Sequence, residues 1–282
     1  MTERSVLAGL TIALPEHREL DRLTKMIEEG GGVAHRCPFM TIVDVEDATP
    51  VLRWLHRLAD GDFDDVVLLT GEGLSRLVGV ARAAGIEARV LKALGDARTI
   101  CRGPKPVRAL RAMGLRATLV SQSPTTDGVI ATLDKETLNG RRIGVQLYGE
   151  EPNEKLVDFL RRQGADVDVV SPYRYQNGPD GPVLDLITAM AEGRINVIAF
   201  TSSPQVHRLV EVAAEHGREA ELRQGLQRTR IAAVGPLVAA ALSERDFKVD
   251  IVPERSFFLR PMVGEIAAFF RGAVGGNSGA AA

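Results

Sequence analysis

Short uninterrupted apolar runs alternate along the chain with segments whose apolar positions recur every three or four residues. Val6–Leu14 is such a run, ending at Pro15, and predicts a buried strand followed by a turn. Glu19–Glu29 carries Leu20, Leu23, Met26 and Ile27 at helical spacing. Gly30–Gly32 follow that helix instead of opening one, so they read as a C-cap and turn, not a nucleotide loop. Val51–Leu58 predicts a helix with Leu52, Leu55 and Leu58 on one face and Trp54 nearby. Val66–Leu69 is apolar throughout, as strands buried on both faces of parallel sheets are. A strand at Ala97–Cys101, a helix at Val107–Met113 ended by Gly114, a strand at Ala117–Val120 and a helix at Asp127–Leu133 follow.

Arg142–Gln146 then reads as a strand and Glu154–Gln163 as a helix with Leu156, Phe159 and Leu160 inward, ended by Gly164. Asp166–Val170, Val197–Phe200, Ile231–Val234 and Val249–Val252 read as further strands. Val206–Glu215 is an amphipathic helix with Val206, Leu209, Val210 and Ala213 on its apolar stripe. The alternation predicts an α/β fold of parallel sheets with helices on both faces. Gly272–Ala282 has no core pattern and reads as a frayed tail.

The pattern also occurs twice. LAGLTIAL at Leu7–Leu14 returns as LNGRRIGV at Leu138–Val145, and the segment Val66–Gly85 returns at Val197–Gly217. RGPKPVRAL at Arg102–Leu110 returns as VGPLVAAAL at Val234–Leu242. Gly9 and Gly140 are 131 residues apart, as are Thr70 and Thr201, and Gly103 and Gly235 are 132 apart. A period this long indicates two similar parallel-sheet α/β lobes from an internal duplication, not a solenoid of short units. Two similar lobes suggest a ligand held between them.

With 282 residues the chain is comfortable for two domains. Its formal charge of −2 argues against a nucleic-acid binder, although a local cleft can be basic on a near-neutral protein. Cys37 and Cys101 form neither a CxxC pair nor a metal spacing, and no disulfide is expected between them. The amino-terminal apolar run is too short for a signal peptide, and no stretch is long enough to span a membrane. A cytoplasmic protein is expected.

In open parallel sheets ligands bind beyond the carboxyl ends of the strands, where loops enter helices. Thr70-Gly71-Glu72-Gly73 and Thr201-Ser202-Ser203-Pro204 are one such pair of loops. Ser203 is the expected N-cap and Pro204 the first helical residue. Free backbone N–H groups there, with the helix dipole, would form a cradle for a carboxylate or phosphate. Helix capping alone also explains each loop, and Glu72 would repel an anion in the first copy. The second pair is Arg102-Gly103-Pro104-Lys105-Pro106 and Val234-Gly235-Pro236. Glycine there permits close backbone approach, and Arg102 and Lys105 are either solvated surface charges or the partners of an anionic ligand.

Several other chemistries are set aside. There is no GxxxxGK[ST] loop, the third glycine of a dinucleotide fingerprint is missing after Gly71 and Gly73, and there is no GxSxG elbow. His17, His35, His56, His207 and His216 are scattered without HxH or HExxH spacing.

Together the duplicated strand–loop–helix units resemble the uroporphyrinogen-III synthase family over about Val6–Arg271. AFTSSPQV at Ala199–Val206 and AVGPLVAAAL at Ala233–Leu242 stand where that family has its best-known motifs. VVSPYRYQ at Val169–Gln176 is similar to its tyrosine-bearing crossover. The resemblance implies a two-stranded connection between the lobes, crossed near Ala34–Ile42 and Asp168–Gln176. It implies a discontinuous lobe of residues 1–36 and 174–272, a second lobe of 47–168, crossovers at 37–46 and 169–173, and a flexible tail at 273–282. It implies closure of hydroxymethylbilane to a macrocycle with inversion of the last pyrrole ring and loss of water, by a monomer using no metal or organic cofactor. Tyr173 matches the family's tyrosine and would donate a proton to the leaving hydroxyl; the alternative is a phenol that packs the crossover. Thr70, Gly71, Arg102, Gly103, Lys105, Thr201, Ser202, Ser203, Gly235 and Pro236 would contact the substrate's carboxylates.

The chain departs from the family where Leu237-Val238 and Pro106-Val107 replace a usual Thr-Ala, and where Leu14-Pro15 replaces a frequent Arg-Pro. A non-catalytic regulatory domain of the same fold, sensing a tetrapyrrole or small molecule, is the alternative reading. A periplasmic-type ligand-binding protein is disfavoured for want of a signal peptide.

Overall fold

The apolar runs become strands and the 3.6-period segments become helices, as a computed structural model of residues 6–149 and 152–275 shows. The chain forms β1 (Thr11–Leu14), α1 (Leu20–Glu29), β2 (Val33–Arg36), β3 (Met40–Asp44), α2 (Thr49–Ala59) and β4 (Asp65–Leu68). Next come α3 (Gly71–Ala83), α4 (Glu87–Asp96), β5 (Arg98–Cys101), α5 (Pro104–Ala112), β6 (Leu119–Val120), α6 (Thr126–Leu133) and β7 (Arg142–Gln146). Then follow α7 (Glu154–Arg162), β8 (Asp166–Val170), β9 (Tyr173–Asn177), α8 (Gly181–Ala191), β10 (Val197–Phe200) and α9 (Ser203–Glu215). The order closes with α10 (Glu219–Arg228), β11 (Arg230–Ala233), α11 (Pro236–Ser243) and α12 (Leu259–Gly275). Of the expected tail, residues 272–275 instead continue α12, and residues 276–282 lie outside the described residues.

Two parallel sheets result. One has the order β11-β10-β1-β2 and the other β6-β5-β4-β7-β8, while β3 and β9 form a two-stranded antiparallel connection. The chain divides into a unit holding the first sheet (to Thr41 and from Gln176) and a unit holding the second (Ile42–Tyr175). Among the described residues no helix is long and apolar enough to cross a membrane.

In the Ile42–Tyr175 unit, alternation along β4 explains why an uninterrupted apolar run is needed. Val66 and Leu68 pack with Trp54, Leu55, Leu74 and Leu77 on one face. Val67 and Leu69 pack with Val129, Leu133, Leu156 and Leu160 on the other. Both faces are therefore covered by helices, as parallel sheets require. In the other unit β1, β10 and β11 build one core with α1, α8, α9 and α12.

Some expectations are corrected. β1 starts only at Thr11, because Gly9 takes a left-handed φ of 79° and turns the chain. In α2 the buried residues are Val51, Trp54, Leu55 and Leu58, so Trp54 belongs to the core. Val249–Val252 makes only a single bridge, Ile251 to Ala232. There the Asp250 side chain, not backbone, accepts the Ile231 N–H at 3.0 Å, and Pro253 has no N–H to extend a ladder.

Gly144 in β7 is set by this packing: a Cβ there would lie 2.7 Å from Trp54 and 2.9 Å from Phe63. Gly79, on the exposed side of α3, has no neighbour within 4 Å of that position. Urea unfolding followed by the fluorescence of Trp54 should therefore show opposite signs. Gly144→Ala is expected to destabilise by about 1–3 kcal/mol, and Gly79→Ala to stabilise by up to about 1 kcal/mol.

Candidate functional site

In a parallel sheet all strands end on one side, so the loops after β4, β5, β7 and β8 gather there. Thr70 leaves β4 extended and caps α3, its Oγ1 accepting the Gly73 N–H at 3.0 Å. Gln146, wholly buried at the end of β7, fixes this turn. Its Oε1 accepts the Thr70 N–H at 3.1 Å, and its Nε2 donates to Thr70 Oγ1 at 3.2 Å and to the Leu147 carbonyl. Gly71 has no side chain because a Cβ would lie 2.7 Å from the Lys105 carbonyl. The starts of α3 and α5 thus lie against each other, bringing Thr70 and Gly71 to Arg102, Gly103 and Lys105.

Charge, more than backbone donors, distinguishes the α5 start. Of the three residues that open it, Pro104, Lys105 and Pro106, only Lys105 has an N–H. The Arg102 guanidinium lies over the Tyr148 ring, 4.6 Å from its centroid, and among the described residues no carboxylate is within ion-pair distance of it. Gly103 is required by packing: a Cβ would lie 2.8 Å from Pro124 Cβ.

Tyr173 stands beside this group, 1% exposed, with its hydroxyl 3.5 Å from Thr70 Oγ1. Its ring meets Tyr175 edge-on, centroids 5.7 Å apart. Burial pushes up the pKa of both phenols, so both are protonated near neutral pH.

The corresponding turn of the other unit is built differently. Ser202, not Ser203, is the N-cap of α9, and Ser203 and Pro204 are its first two residues. The Gln205 side chain imposes this by reaching back: its Oε1 accepts the N–H groups of Thr201 (2.9 Å) and Ser202 (3.3 Å), and its Nε2 donates to Thr201 Oγ1 at 2.9 Å. Of the N–H groups expected to be free, those of Thr201 and Ser202 are therefore engaged. The Ser203 hydroxyl donates to the Leu237 carbonyl at 3.3 Å. Gly235 and Pro236 open α11, and a Cβ on Gly235 would lie 2.9 Å from Phe257 Cβ.

Glu16, which the sequence reading passed over, is the anion of this turn. Its Oε1 accepts the N–H groups of Arg18 (2.8 Å) and Glu19 (3.2 Å), and its Oε2 accepts from Gln205 Nε2 (3.2 Å) and the Thr201 hydroxyl. Burial alone would raise its pKa. The donors outweigh burial, Thr201 foremost, and the pKa is lowered. A signal was available in sequence: Pro15-Glu16 follows a strand end where the family often carries Arg-Pro.

Structural equivalence also shifts the duplication by one residue. α3 and α9 have the same length and start 132 residues apart, which pairs Thr70 with Ser202 and Gly71 with Ser203. Among the described residues Asp180, Glu215 and His216 offer ligand atoms within 4.8 Å of one another. Arg208 pairs with Asp180 and lies 3.8 Å from Glu215, so a guanidinium already supplies the positive charge there.

A family model for uroporphyrinogen-III synthase HemD matches residues 21–258. The chain belongs to that family. It is 29% identical over 265 residues to the uncharacterised protein YjjA of Bacillus subtilis, covering 94% of this chain and 97% of that one. It is 26% identical over 259 residues to a putative uroporphyrinogen-III synthase of Methanothermobacter thermautotrophicus, covering 92% and 97%. Among solved structures it is similar to a mutant uroporphyrinogen III synthase of Thermus thermophilus, with 26% identity, a TM-score of 0.75 and coverage of 95% and 100%. HemD-family membership implies a tetrapyrrole-type substrate.

The Glu16 arrangement has a pH signature. Its pKa is lower folded than unfolded, so its contribution is present above the unfolded value, near 4.5, and lost as pH falls through the folded value. Wild type is expected to exceed Glu16→Gln in unfolding free energy by on the order of 1–2 kcal/mol at neutral pH. That difference should narrow only below about pH 4.5; a difference that stays constant to lower pH would contradict the assignment.

Proposed function

We propose that this protein is a uroporphyrinogen-III synthase, closing hydroxymethylbilane to the macrocycle with inversion of its last pyrrole ring and release of water. One observation carries this within the HemD family: the Arg102 guanidinium, the Lys105 position, the Thr70 hydroxyl and the Tyr173 phenol converge at the carboxyl end of one sheet. The substrate is a linear tetrapyrrole bearing eight carboxylates, and Arg102 and Lys105 are the cations that receive them. Gly235 and Pro236 at the α11 start are the anion-accepting turn of their own unit, since Gln205 and the Glu16 carboxylate already occupy the Thr201 turn before α9.

Departure of the hydroxyl as water leaves an electrophilic azafulvene. The substituted carbon of the last ring attacks it, giving a spiro intermediate that fragments and recloses on the other position. Because closure without rearrangement is facile, the protein's main work is to hold the chain in the conformation that leads to the spiro step. Tyr173, kept protonated by burial, supplies the proton through or beside the Thr70 hydroxyl that its own hydroxyl faces. No step calls for a metal or organic cofactor.

The non-catalytic reading is favoured by one feature, the 1% exposure of Tyr173, which fits a packing role. Incubation with hydroxymethylbilane and separation of the oxidised porphyrin isomers decides between them. Type III product is expected, and type I alone would overturn the synthase reading. Tyr173→Phe is expected to slow type III formation by roughly 10²-fold, as for a positioned acid. An unchanged rate would assign Tyr173 to packing.

A further inference from the structure

The segment Tyr173–Asn177 carries a second charged group that neither the duplication nor the strand-end loops point to. Arg174 lines a groove of about 500 Å³ with Val45, Glu46, Gly149, Ser171 and Tyr173, all within the Ile42–Tyr175 unit. Its Nη2 donates to Glu46 Oε1 at 2.9 Å, while its buried Nε has no hydrogen-bond partner among the described residues. Glu46 is 85% exposed.

A guanidinium presents Nε–H and Nη2–H side by side, and a carboxylate satisfies both with two parallel hydrogen bonds. Glu46 engages Nη2, and among the described residues the Nε side of that fork has no acceptor. Buried polar groups normally have partners, and a cation's donor more than most. An exposed, singly bonded glutamate is held weakly and is easily displaced. Gly149 also lines the groove: its φ is +58°, and a Cβ there would lie 2.6 Å from the Tyr175 ring.

We propose that this groove is a carboxylate subsite in which a ligand carboxylate takes the Nε–Nη2 fork of Arg174 and displaces Glu46. Arg174 is then a specificity-determining residue for one carboxylate arm of the substrate, and Glu46 holds the fork when no ligand is bound. The identity of that arm as part of a tetrapyrrole rests on the proposed function; the fork itself does not.

The test uses the full ¹⁵N-labelled chain and follows the Arg174 Nε–H resonance, identified by its absence in Arg174→Lys. Citrate, a small carboxylate probe, and uroporphyrin, with eight carboxylates, are titrated separately. The resonance is expected to move downfield with either. Uroporphyrin binding should weaken about tenfold in Arg174→Lys, which loses the fork. It should tighten several-fold in Glu46→Gln, and that gain should vanish when the two changes are combined. A resonance unmoved by both probes, or a Glu46→Gln gain that persists without Arg174, overturns the subsite. If the resonance responds but no type III isomer forms, the subsite stands and the synthase reading falls. If type III forms with the resonance unmoved, the reverse holds.

Discussion

One arginine in each unit fastens the connecting segment to the body of that unit. Arg76 of α3 donates to the Ile42 carbonyl at 3.1 Å, pairs with Asp44, and is held by Glu72 at 2.7 Å. Arg208 of α9 donates to the Gly178 carbonyl at 3.3 Å, pairs with Asp180, and is held by Glu211 at 2.8 Å. The two occupy equivalent helix positions, so the duplication kept the fastening as well as the fold. A charge this enclosed is tolerated only when paired, and removing a partner from such a pair is strongly destabilising. Each end of the connection is thereby fixed on its own helix, and Tyr173 and Arg174 are carried on it.

Parallel strands do the rest of the gathering. Because β4, β5 and β7 end together, three loops distant in sequence meet over Gln146, and Arg102 comes to rest on Tyr148. The two units then solve the same local problem differently. A glutamine ties down the threonine in both, but Gln146 comes from a strand and Gln205 from the helix itself. The second turn also receives a carboxylate from outside its own loop, Glu16. One turn therefore stands beside the Arg102 guanidinium and the other holds an ionised carboxylate, so the two copies differ in charge.

Much of the fold was legible in the chain. The apolar runs at Val66–Leu69 and Val197–Phe200 gave central strands, and the glycine and proline pairs at Gly103-Pro104 and Gly235-Pro236 gave helix starts. The apolar helix α8 went unread although Val183, Leu186, Ile187 and Met190 are buried in it, and the strands that escaped lack an apolar signature. β9 reads YRYQN and is polar or aromatic, and β2 alternates too briefly to register. The site was legible at its strand ends but not in its ties. Gln146 and Glu16 act by reaching residues 76 and 185 positions away, which no local pattern records, whereas Ser202-x-x-Gln205 is a capping-box pattern that went unread. The glycines at 71, 103 and 235 read as ligand approach, whereas each is set by a neighbour of its own unit, Lys105, Pro124 and Phe257.

Backbone amide hydrogen exchange with and without bound uroporphyrin measures this asymmetry directly. Slowed exchange is expected at residues 70–73, 102–105 and 171–175, with residues 201–205 unchanged because the Glu16 carboxylate and Gln205 already occupy that turn. Protection confined to residues 201–205 would contradict it.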